Sequence, residues 1–117
     1  MIKRLNNITF PVSDLKEITA FYEKVLGLKK QSEWPTYVIF DCGGVDLALE
    51  PGGEKAEKKG SPYVFLIVDD VDAEYQELKN KGVKFKYEPK DQTWGGRVAT
   101  LTDPDGNLLC IWQRKEK

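Results

Sequence analysis

A chain of 117 residues, 40% hydrophobic and 32% charged, has the composition of one globular domain, long enough to bury a core without disulfide or metal staples. Its 18 basic and 19 acidic side chains nearly cancel, which argues against disorder and against nucleic acid as a partner. Histidine is absent, and with it go serine triads and His-ligated metal centres, because imidazole is the usual base near neutral pH and the commonest transition-metal ligand.

The opening "MIKRLNNITF" has no apolar run of signal-peptide length, and no stretch is long enough to span a bilayer. The expectation is a soluble cytoplasmic protein with no membrane partner. Cys42 and Cys110 lie in apolar, strand-like surroundings and read as buried free thiols of a reducing compartment.

Residues 5–12 alternate Ile8, Phe10 and Val12 against Asn7, Thr9 and Pro11, the pattern of a half-buried strand. Asp14 with Glu17 three residues on forms a capping-box signature. Leu15, Ile18, Tyr22, Val25 and Leu26 then make a helical stripe that Gly27 closes. Strands follow at 28–33, 37–42 and 45–50, with Gly43-Gly44 as a hairpin turn, giving a βαβββ module over residues 1–51.

Residues 52–61 lie in the stretch "PGGEKAEKKGSP", which is charged, glycine-rich and free of large apolar residues, and reads as an exposed linker. It lacks the GxxxxGK[ST] spacing of a phosphate loop. A second module spans 62–117. A strand at 63–68 precedes a helix capped by Asp70, with Val71, Tyr75 and Leu78 on one face and Gly82 at its end. Strands at 83–87, 97–101 and 107–112 complete it. The last is launched by the turn Asp103-Pro104-Asp105-Gly106, where Pro104 presets φ.

A shift of 56 lays Ile8 on Val64, Phe10 on Leu66, Val12 on Val68 and Asp14 on Asp70, so the chain is an internal repeat. Such a pair implies a pseudo-symmetric α+β fold with its site expected between the halves.

Three stretches, "ITFPVSDLKEITAFYEKVLGL", "VFLIVDDVDAEYQELKNKGV" and "WGGRVATLTDPDGN", resemble the vicinal oxygen chelate superfamily of glyoxalases, bleomycin-resistance proteins, fosfomycin-resistance enzymes and extradiol dioxygenases. The resemblance covers nearly the whole chain and implies a cup-shaped mixed sheet of two βαβββ modules, commonly in a homodimer. It further implies a divalent metal held by His and Glu from the first and last strands of each module. Those positions fall on Asn7, Asp46, Tyr63 and Cys110, one acid out of four. Neither a hard oxygen shell nor an imidazole or thiolate shell is present, so no metal and no other cofactor is expected.

Several residues carry two readings. Asp46 and Glu50 share one strand face, either solvated or turned toward cationic and hydroxylated ligands. Trp34, Tyr37, Tyr63, Trp94 and Trp112 read mainly as core or dimer interface. Tyr63 is the exception because it fills a ligand position, Trp112 shares a face with Cys110 and would floor a flat ligand, and Trp94 precedes the Gly95-Gly96 loop. Arg97 reads either as a clamp for an anionic group or as a surface ion pair. Cys110 has no histidine to activate it and reads as an apolar filler. The expected function is a metal-independent protein binding an amphipathic or aromatic small molecule at Asn7, Asp46, Tyr63, Trp94, Arg97, Cys110 and Trp112. The alternative is a glyoxalase-like lyase or isomerase using Asp46, Glu50 and Tyr63.

Overall fold

The computed structural model describes residues 1–115, in two compact units that divide between Ala56 and Glu57, inside the charged glycine-rich segment. Among the described residues no helix is long and apolar enough to cross a membrane.

The first unit holds β1 (Asn7–Val12), α1 (Leu15–Ala20), β2 (Lys29–Trp34), β3 (Tyr37–Asp41) and β4 (Asp46–Pro51). Its sheet has the order β1-β4-β3-β2, with β1 and β4 parallel and the other neighbours antiparallel. The Asp14 side chain accepts from the Glu17 amide at 3.0 Å, the capping interaction that starts α1. Residues Phe21–Val25 continue the helix as a π-helical turn, with the Leu26 amide reaching back to the Phe21 carbonyl. Gly27 follows at φ 75°, a conformation that glycine adopts freely.

The π turn has a reason in the repeat. The capping aspartate and closing glycine are Asp14 and Gly27 in one unit and Asp70 and Gly82 in the other, so the first helix carries one more residue. A widened turn absorbs it without moving the buried face. Ile18 and Tyr22 therefore both reach the sheet, where Tyr22 meets Phe10 and Phe40 with ring centroids 6.5 and 6.0 Å apart. Val12, Val38, Phe40, Leu47 and Leu49 close this core, each almost fully buried.

The second unit repeats the plan with β5 (Val64–Ile67), α2 (Val71–Asn80), β6 (Lys84–Asp91), β7 (Gly96–Thr102) and β8 (Leu108–Arg114), in the order β5-β8-β7-β6. Asp70 caps α2 by accepting from the Ala73 amide, and the Gln113 side chain of β8 accepts from the Val71 amide. Val71, Leu78, Ala99, Leu101, Leu109 and Ile111 fill the space between helix and sheet. Tyr75 and Phe85 add an edge-on ring pair at 4.6 Å. The strand expected at 83–87 runs on to Asp91, with register shifts on either side of Tyr87 that bend it without ending it.

The turn before β8 is tighter than a proline-set reversal alone requires. Asp103 Oδ1 accepts from the amides of Asp105 and Asn107, and Oδ2 accepts from the Asn107 side chain, all at 2.9 Å. Asp103, Asp105 and Asn107 are buried, so these bonds satisfy donors that water does not reach. The Gly106 amide closes on the Asp103 carbonyl at 2.9 Å.

Candidate functional site

Strand alternation gives each sheet a helix-covered face and a helix-free face, and register fixes which side chains share the latter. In the first unit, Asn7 pairs with Asp46, Thr9 with Ala48 and Ile39 with Ala48. Asn7, Thr9, Tyr37, Ile39, Asp46, Ala48 and Glu50 thus line the helix-free face. Asn7, Thr9 and Tyr37 join into one network there: the Asn7 amide donates to Thr9 Oγ1 at 2.7 Å and to the Tyr37 hydroxyl at 3.1 Å. The two hydroxyls are 2.8 Å apart. Asn7 Oδ1 accepts from the Asn6 side chain. Asp46 and Glu50 are half-buried, but Ala48 between them is fully buried, so this is not a plain solvated strand face.

In the second unit Phe65 pairs with Cys110, Thr100 with Cys110, and Val98 and Ile67 with Trp112. The helix-free face therefore carries Tyr63, Phe65, Ile67, Cys110, Trp112, Val98, Thr100 and Tyr87. Tyr63 is 46% exposed, Phe65 47%, Tyr87 56% and Ile67 77%, an unusual concentration of apolar surface for so small a unit. A cleft of about 580 Å³ opens between Tyr63 and the β6–β7 hairpin, lined also by Tyr87, Val98 and Thr100.

Strand register places four of the residues singled out in the sequence: Arg97, Asp46, Cys110 and Trp112. Arg97 pairs in register with Gln113, one residue out of phase with Cys110 and Trp112, so it projects to the helix side. There Nε and Nη2 each donate to Asp72 at 2.9 Å, and Nη1 donates to Asp91 at 3.0 Å. The guanidinium holds both carboxyls below the usual carboxylate range, and its fork is spent on an ion pair, not on a ligand. Second, the carboxylate position of module one is displaced. The pairing of Phe65 with Cys110 corresponds under the repeat to Thr9 with Ala48, so Ala48, not Asp46, stands where Cys110 stands.

Third, Cys110 is 1% exposed and lies 3.3 Å from Thr100 Oγ1, and burial pushes its thiol above the ordinary range. It fills space and presents no surface to a ligand. Fourth, the place a flat ligand would take on Trp112 is held by Trp94, whose ring lies at 6.3 Å and 22° from it, with Phe65 edge-on to Trp94. Gly96 makes that stack possible, because a Cβ there would collide with the Trp112 indole nitrogen and the Trp94 ring. Trp34 and Trp94 are more than half exposed in the single chain, outside its core.

The family metal does not fit these residues. Asn7 is engaged through both ends of its amide, Ala48 has no donor atom, Tyr63 is a phenol and Cys110 is a buried thiol. Among the described residues no three of Cys, Asp and Glu converge as a metal-holding group.

The family model described as the Glyoxalase/Bleomycin resistance protein/Dioxygenase superfamily matches residues 4–111. The chain belongs to this superfamily. It is 32% identical to a bleomycin resistance protein from Klebsiella pneumoniae, covering 90% of this chain and 88% of that one. It is 33% identical to the metallothiol transferase FosB from Staphylococcus haemolyticus, over 93% of this chain and 82% of the relative. Among solved structures it resembles TnmS3, an antibiotic binding protein from Streptomyces sp. CB03234, with TM-score 0.79 and 28% identity over 97% of this chain and 98% of the other. The chain has the α+β fold of the glyoxalase/bleomycin-resistance superfamily.

What the sequence left unseen is the role of Tyr37 as the hub of a polar network, and of Phe65, Ile67 and Tyr87 as exposed apolar surface. The signal was available in part. Under the shift of 56, Asn7, Thr9 and Pro11 fall on Tyr63, Phe65 and Ile67, so the small and polar side chains of one edge strand become large apolar ones in the other.

Proposed function

We propose that this chain is a metal-independent binding protein for an amphipathic, aromatic small molecule, taken up against the helix-free face of the second unit. The observation that carries the reading is the run of exposed rings, Tyr63, Phe65, Tyr87 and Trp94, beside the cleft over Val98 and Thr100. Flat ligands gain from such rings by area burial and stacking without any need for charge transfer. In the first unit Asp46 stands beside the hydrogen-bonded Asn7 and offers a carboxylate to hydroxylated or cationic groups. Similarity to a bleomycin resistance protein and to an antibiotic binding protein supports a binding role, and similarity to the metallothiol transferase FosB keeps turnover as the alternative. The protein works in the cytoplasm, and it works as a homodimer, the latter supported by the edge strands β1 and β5 and by exposed Ile67, which a second copy would cover.

The test is a thermal-shift panel of cationic glycopeptides, flat aromatics and glutathione adducts, since a ligand that binds only the native state raises its stability by mass action. A flat aromatic is expected to raise the melting temperature, and Tyr63→Ala to weaken that ligand about five- to tenfold by loss of ring contact, with Asn7→Ala leaving it within twofold. A panel with no active member refutes the binding reading. Tight uptake of one nickel, manganese or zinc ion per chain, lost in Asp46→Ala, refutes metal independence. Turnover of a panel member replaces binding with lyase or isomerase chemistry.

A further inference from the structure

The cleft over Thr100 is joined by a second of about 440 Å³, walled by Lys59, Ser61 and Leu108 among others, and the two share Tyr63 and Lys86. Their walls carry Lys58, Lys59, Lys86 and Lys90 against Glu57 and Glu88, an excess of cations in a chain whose overall charge is nearly balanced. Elsewhere in this unit Arg97 pairs with Asp72 and Asp91, Lys81 with Glu77 and Lys115 with Asp91. Among the described residues Lys86 and Lys90 meet no carboxylate within ion-pair distance. Lys86 Nζ instead lies 5.6 Å from the centre of the Tyr87 ring, which holds an ammonium by its π face while leaving its N–H donors for another partner.

We infer that the Tyr63–Lys86 junction is an anion-selecting subsite, so that the second unit takes aromatic ligands bearing a carboxylate in preference to neutral or cationic ones of the same shape. This rests on the reading of that face as an aromatic-binding site. A ligand carboxylate at the junction accepts from the Lys86 ammonium and from the Tyr63 hydroxyl, and its ring lies against the Tyr63 and Tyr87 rings. Lys90, which also lines the larger cleft, adds long-range attraction. The pairing is solvent-exposed, so it shifts preference without dominating affinity.

The experiment is calorimetric titration of the full chain with naphthalene-2-carboxylate, naphthalene-2-carboxamide and 2-naphthylmethylammonium at low and high salt. The carboxylate is expected to bind about three- to tenfold more tightly than the carboxamide at low salt, the ammonium least, with the gap narrowing as salt rises. Lys86→Gln is expected to bring the carboxylate down to the carboxamide, checked against an unchanged melting temperature. Equal affinity for carboxylate and carboxamide overturns the subsite, as does a Lys86→Gln variant that weakens both probes alike. Absence of binding by all three probes overturns the aromatic-binding reading itself, and the subsite with it.

Discussion

The two units share a plan on one side of their sheets and differ on the other. Toward the helices the correspondence is close: Asp14 and Asp70 cap by the same bond, and Tyr22 and Leu78 fill the same place under the helix. Toward the helix-free face it disappears. The first unit has a hydrogen-bonded Asn7–Thr9–Tyr37 network with Asp46 and Glu50 beside it, whereas the second has exposed rings with Lys86 and Lys90 at their edge. The difference teaches where the repeat is constrained. A core of close-packed apolar side chains tolerates little change in volume, while a face that packs against no helix is free to acquire new chemistry.

The core should give the largest effects. Tyr22→Ala and Leu78→Ala are each expected to cost about 2–5 kcal/mol in denaturant unfolding, because both leave cavities under the helix. A cost well below that range in one of the two would break the equivalence of the units. The turns sharpen the contrast at the next level. Asp103→Ala removes the acceptor of two buried amides, at about 1–3 kcal/mol for each orphaned donor. In the first unit, Asp41 Oδ1 accepts from the Gly43 amide in an exposed turn, and Asp41→Ala is expected to cost about 1 kcal/mol or less, since water replaces the bond.

A smaller effect is expected at Arg97, and it depends on pH. Asp72 and Asp91 have carboxyls depressed in the folded state, so the stability from their ion pairs is full above the ordinary carboxylate range and is lost as pH falls through the depressed values. Arg97→Met should therefore melt slightly below the parent at neutral pH, the gap closing on acidification. A gap that persists in acid would mean that Arg97 acts by packing of its stem. The smallest effect is kinetic. Both thiols are raised by burial, but Cys42 is half-buried and Cys110 fully so. A disulfide reagent should modify Cys42 slowly in the native protein and Cys110 only on unfolding. Fast labelling of Cys110 would contradict its place in the β7–β8 layer.

Much of this could be read along the chain. Alternation at Ile8, Phe10 and Val12 marks β1 and the capping aspartates mark both helices, while the π turn that takes up the extra residue between Asp14 and Gly27 shows only in the backbone hydrogen bonds. Arg97 shows what period alone misses. It lies beside the Gly95-Gly96 loop in sequence, and only the pairing with Gln113 puts it on the side of Asp72. Asp46 shows the same for register, because a displacement of two residues keeps a side chain on its face but moves it along the strand.

The sequence by itself determined the repeat, the α+β plan and the absence of imidazole, because these follow from local periodicity and residue type. Tertiary structure decided which side chains share a face and which partners they meet. It put Cys110 against Thr100, laid Trp94 over Trp112 and left Tyr63 beside Lys86, since strand pairing joins residues that are distant in the chain.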